Sequence, residues 1–219
     1  MGVKTKSSSK KCSKCGHKDC KCKIKQDVKV NVNIPGGAAG PQGATGPQGA
    51  AGAGAIIPFA SGSPVVLTTV LGGLTNTGAL LGFGSSIDSV NVTGLTLNLG
   101  AGGVLDYAFV VPRAGTVTSI GAFFSTTADV TQLAPVTISA QLYLASPGSS
   151  SFSPVGTPVL LNPPLGPVIS VGQNRNNVAA QVISVSPGDK LLMVFSINTA
   201  GLDIASVVTG FASAGITID

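Results

Sequence analysis

Apolar and polar side chains alternate with a period of two along much of the chain beyond residue 55. In 136–144, Val136, Ile138, Ala140, Leu142 and Leu144 point one way, and Thr137, Ser139, Gln141 and Tyr143 point the other. That is the pattern of a strand with one buried face. Pro64–Leu71 predicts a first strand. Leu105, Tyr107, Phe109 and Val111 predict a second, and Thr116–Ser125 a third. Asn177–Val185 and Leu191–Ile197 follow, separated by the turn Pro187-Gly188-Asp189. Val207–Ala212 and Ile216–Ile218 predict two final strands. Leu191-Leu192-Met193-Val194-Phe195 is apolar on both faces, as expected of a strand covered by sheet on one side and by a neighbouring subunit on the other. Short strands punctuated by Gly and Pro predict an all-β sandwich or jelly roll.

A separate alternation lies upstream. Ile24, Val28, Val30, Val32 and Ile34 are interleaved with polar residues, which predicts one amphipathic strand in a segment with no sheet of its own. Its apolar face calls for a partner, and adding it as a strand to the next molecule would build an open, head-to-tail fibre. The opposing reading is a basic, solvated tail.

Between that strand and the body, Gly37, Gly40, Gly43, Gly46, Gly49 and Gly52 recur every third residue, with Pro41 and Pro47 at X positions. Only glycine fits the axis of a collagen triple helix, so six Gly-X-Y triplets predict a short collagen-like stalk and a homotrimer. At about 3.1 Å per residue the triplets would span on the order of 55 Å. Three parts follow: a basic arm (1–35), the stalk (36–54) and the folded body (55–219).

Charge is divided in the same way. The arm holds ten lysines against two aspartates, and the remainder has Arg113, Arg175 and Lys190 against six aspartates. The pI near 9.2 therefore describes the arm. With no aromatic residue in the arm to stack on bases, nucleic acid is not the expected partner. No stretch reaches the roughly 18 apolar residues of a membrane span, and no apolar region follows the N-terminal lysines as in a secretory signal. No membrane partner is expected, and the protein is expected to be made and kept in the cytoplasm or to reach a surface by a route that needs no signal.

The arm also carries Cys12, Cys15, His17, Cys20 and Cys22. Disulfides between chains, a zinc site and free thiols are all open readings, with the surrounding lysines favouring the thiolate. Four residues between Cys15 and Cys20 leave little chain to wrap a metal, which favours the disulfides. The body has no cysteine, so such bonds join arm only to arm, or arm to another protein. His17 is the single histidine and glutamate is absent from the chain. No Ser-His-Asp set is therefore available to the body, and its aspartates are scattered. No enzymatic activity and no cofactor are expected.

Pro58-Phe-Ala-Ser-Gly-Ser-Pro-Val-Val-Leu-Thr-Thr-Val, Leu80-Leu-Gly-Phe-Gly-Ser-Ser, Val111-Pro-Arg-Ala-Gly-Thr-Val-Thr-Ser-Ile and Gly210-Phe-Ala-Ser-Ala-Gly-Ile-Thr resemble the C-terminal domain of Bacillus collagen-like exosporium glycoproteins of the BclA/BclB type. The resemblance covers nearly all of 56–219. It implies a tumour-necrosis-factor-like jelly roll that trimerises at a bacterial spore surface, made in the mother-cell cytoplasm. The stalk is shorter than theirs, and the arm lacks their Pro- and Thr-rich leader. A looser resemblance to endospore appendage subunits implies arms that link neighbours. The expected function is a fibre-forming structural protein. The alternative is an isolated trimer, tethered through its arm to an exosporium or coat protein, that mediates adhesion or ligand binding.

Overall fold

The computed structural model describes residues 40, 42–46, 54–70, 74–94, 96–100, 107–199 and 205–219. Two compact units divide the chain, Met1–Gly49 and Ala50–Asp219. In the first, Gly40 and residues 42–46 are exposed and adopt no regular secondary structure. Ile24, Val28, Val30, Val32 and Ile34, the cysteine cluster with His17, and Gly37, Gly49 and Gly52 all lie outside the described residues.

The second unit is all-β, with no helix among the described residues. Its strands are β1 (Ala55–Ala60), β2 (Val65–Thr69), β3 (Thr75–Leu81), β4 (Ser86–Asn91), β5 (Leu97–Asn98), β6 (Phe109–Val110), β7 (Gly115–Thr126), β8 (Val130–Thr131), β9 (Val136–Ala145), β10 (Ser151–Leu160), β11 (Val168–Ile169), β12 (Asn174–Val185), β13 (Lys190–Thr199) and β14 (Val207–Ile218). One layer runs β1-β14-β7-β12 and the other β4-β3-β13-β9-β10, all antiparallel, with β2 joining them by pairing with both β14 and β3. This order is compatible with a jelly-roll sandwich.

The core lies between the layers. Val117, Ile120 and Phe124 of β7 and Ile216 of β14 meet Ile138 and Leu142 of β9 and Met193 and Phe195 of β13. These are the inward positions of the period-two pattern, and Val136, Ile138, Ala140 and Leu142 all fall among them. The turn that carries the chain from β12 in one layer to β13 in the other is made at Gly188, whose φ of 88° suits glycine. Gly210 answers a different need. A Cβ there would stand 2.2 Å from the Ser125 carbonyl oxygen and 2.4 Å from the Phe124 ring, so its missing side chain seats that ring.

Three expectations need correction, and one strand, β10, was not predicted. First, the body opens on β1, before the predicted first strand, and Ala55–Ala60 pairs along Ser213–Ile218. Second, the two expected final strands are one continuous β14, because Gly215 stays in the ladder opposite Pro58 and Gly121. Third, β10 escapes the pattern, because Pro154 and Pro158 argue against a strand. Among the described residues β5 pairs only with Ser151 and Phe152, so β10 accepts the prolines along an outer edge without a ladder partner, where a register shift lies between Val155 and Val159. Fourth, Leu192 and Val194 are covered by their own chain. They pack with Leu80, Val92, Leu97, Leu99, Tyr143 and Phe152 in a second apolar cluster. The doubly apolar run of β13 thus reflects a local cover rather than a neighbouring subunit.

The open side between the layers is closed by side chains. The carboxamide of Gln181, on β12, accepts from Thr157 N at 3.1 Å and donates to Thr157 O at 3.0 Å. Asn177 Nδ2 donates to Leu160 O at 2.8 Å. A buried glutamine thus stands in for a missing ladder strand, which shields an edge otherwise open to aggregation.

Candidate functional site

The sandwich has two outer faces, and they differ. On the β1-β14-β7-β12 layer, cross-strand register sets Ile56, Thr217, Ser119 and Ala180 in one row. The next row is Pro58, Gly215, Gly121 and Val178, and the third is Ala60, Ser213, Phe123 and Asn176. No charged side chain occurs in these rows. Apolar groups on this face lie open in the single chain: Ile56 is 74%, Val178 71% and Val182 90% exposed, and Phe123 and Phe211 are also exposed. Isolated apolar residues are ordinary on a surface, whereas a contiguous uncharged patch of this kind marks an interaction site.

Two glycines occupy the centre of that face. A Cβ on Gly121 would approach nothing closer than Val178 Cγ2 at 3.5 Å, and one on Gly215 nothing closer than Ile57 O at 4.0 Å. Neither has a positive φ. Glycine lowers strand stability, and nothing among the described residues requires it at these points. Close approach by another surface would. The contrast with Gly210, filled by Phe124, makes the distinction visible.

The same test applies to the triplets. A Cβ on Gly40, Gly43 or Gly46 would meet nothing within 4 Å, and none of the three has a positive φ. Among the described residues, the single chain therefore supplies no reason for glycine at these positions. A triple helix supplies one.

The outer face of the other layer is partly roofed by the second apolar cluster. Below that roof lies an open groove of about 230 Å³, lined by Thr75, Val92, Ser139, Gln141, Tyr143, Pro154, Pro158, Val194 and Ser196. Tyr143 is buried, and that burial raises its phenol above the ordinary value of 10.0. Sequence reasoning placed Ser139, Gln141 and Tyr143 on one face of β9. It missed the groove, because its walls come from distant segments.

The described carboxylates have local tasks. Asp88 Oδ2 accepts from Val66 N, Asp129 Oδ1 from Val171 N, and Asp189 Oδ2 from Ser186 N, each at 2.8 Å. No cluster of three His, Cys, Asp or Glu exists among the described residues. No helix among them is long and apolar enough to cross a membrane.

No protein-family model matches the chain. Over 180 residues, 76% of the chain, it is 33% identical to Collagen-like protein 1 of Acanthamoeba polyphaga mimivirus. The chain spans about a fifth of that relative, the matched region being 19% of its length. The match extends far beyond the triplets and supports a collagen-like family. It does not support the exosporium type in particular.

Proposed function

We propose that this protein is a non-enzymatic structural subunit, a homotrimer whose arms link successive trimers into a fibre. The observation that carries the reading is glycine without an internal cause. Among the described residues, Gly121 and Gly215 on an outer face without charge in their rows, and Gly40, Gly43 and Gly46 in the triplets, each leave room for a side chain. A threefold assembly accounts for both sets. The triplets would wind with those of two other chains, and the β1-β14-β7-β12 face would pack against its copies, as in tumour-necrosis-factor-like trimers. Burial of Ile56, Phe123, Val178 and Val182 would drive association, at about 25 cal/mol per Å² of apolar surface. The 24–34 strand would add to the next trimer, and Cys12, Cys15, Cys20 and Cys22 would lock that link by disulfides.

A spore surface, exosporium or appendage, is the setting implied by the resemblance, with synthesis in the mother-cell cytoplasm. An anchoring protein there is the proposed second partner. Electron microscopy of the purified chain, with and without reductant, tests the reading. Fibres that disperse in reductant are expected. Discrete trimers under both conditions would end the fibre reading and leave a trimeric surface module, and monomers would end both.

The tethered-module alternative has one observation in its favour: the groove on the face opposite the proposed interface, which trimerisation would leave open to solvent.

A further inference from the structure

We infer that the groove on the outer face of β3-β13-β9-β10 is a binding site for a neutral sugar ring, the terminal or internal residue of an uncharged glycan. The groove is formed by one chain, so the inference does not rest on assembly.

Its lining determines the ligand class. Among the described residues no charged side chain lines it, and its polar side-chain atoms are hydroxyls and one carboxamide, interleaved with Val92, Val194, Pro154 and Pro158. A pyranose ring presents the same mixture, with hydroxyls around its rim and C–H groups on its faces. A phosphate, carboxylate or ammonium ligand would find no opposite charge to offset its desolvation.

Several polar groups remain uncommitted. Tyr143 is only 7% exposed, yet its hydroxyl makes no hydrogen bond among the described residues. That hydroxyl is not among the fully enclosed polar atoms left without a partner, so it opens onto the groove, where a ligand can reach it. Ser139, 9% exposed, and Ser196, opposite it in the ladder, are in the same condition. Gln141 is held differently. Its Nε2 donates to Val155 O at 2.7 Å and to Leu142 O at 3.1 Å, which fixes the carboxamide against β10 and leaves Oε1 as an acceptor. The result is a donor and acceptor set on rigid central strands, the kind of placement that loses little order on binding.

Size and topology argue against a peptide. A volume of about 230 Å³ is small beside drug-sized pockets of roughly 300–1,000 Å³. An extended peptide is captured through its backbone at a free strand edge. The floor strand β9 is paired on both sides, by β13 and β10. It offers side chains only. In a trimer, three such grooves would raise the avidity for a multivalent glycan surface without any new contact.

Saturation-transfer difference NMR tests this with the full chain and a panel of neutral methyl glycosides: glucoside, galactoside, mannoside, rhamnoside and N-acetylglucosaminide. At least one should receive saturation. Tyr143→Phe and Ser196→Ala, each checked for an unchanged melting curve, should weaken binding roughly threefold to tenfold, the share of one hydrogen bond. Ser213→Ala, on the opposite layer, should leave it unchanged. No transfer to any glycoside would overturn the inference, as would transfer undiminished in both groove variants. A proline-rich peptide that binds the groove where every glycoside fails would replace the sugar with a peptide ligand.

Discussion

Val178→Asp places a carboxylate at the centre of the proposed assembly face. In the single chain Val178 is 71% exposed, so the substitution removes little packing and should cost the isolated fold less than about 1 kcal/mol. In the trimer two losses combine. Completing the burial of a valine is worth about 1 kcal/mol when most of it starts exposed. An unpaired carboxylate in an interface costs several more. Even about 2 kcal/mol per chain sums to about 6 per trimer, more than four decades in the association constant. Sedimentation velocity between 1 and 50 µM should therefore show folded monomer for Val178→Asp and trimer for the parent chain. Ser151→Asp, exposed on the other layer, serves as the control and should remain trimeric. A Val178→Asp chain that sediments as a trimer across the whole range would refute the assignment of this face.

Gly43→Ala should abolish triple-helical circular dichroism while leaving the melting of the body unchanged, because nothing among the described residues meets a Cβ there. An unaltered triple-helix signal would count against winding. Phe195→Ala empties a fully buried site between the layers and should cost about 3–5 kcal/mol in denaturant unfolding. A loss below about 1 kcal/mol would contradict the core described above. The phenol of Tyr143 is raised by burial above 10.0, so the folded state holds its proton more tightly than the unfolded state does. Its contribution is complete below pH 10.0 and is lost as pH rises through the higher folded value. Stability measured between pH 8 and 11 should fall at the alkaline end, and less steeply in Tyr143→Phe. Identical profiles would show that Tyr143 titrates as if unfolded.

The sequence alone determined what periodicity and composition encode. Alternation in 136–144 identified the buried side of β9, and Pro187-Gly188-Asp189 located the turn between β12 and β13, because both signals are carried by neighbouring residues. The glycine triplets are local in the same sense. Other elements were illegible for equally physical reasons. The prolines of β10 argue against a strand unless its largely unpaired outer edge and its register shift are known. The glycine at 215 reads as a break until the ladder around it is seen. Period two also places side chains on a face without saying what covers that face. Tertiary structure alone decided that Leu192 and Val194 lie beneath Leu97 and Leu99 of the same chain, and that the β1-β14-β7-β12 face is left open. It also decided that Ser139, Gln141, Tyr143 and Ser196 share one groove. Those outcomes depend on contacts between residues dozens of positions apart, set by strand order and register, and no local pattern records them.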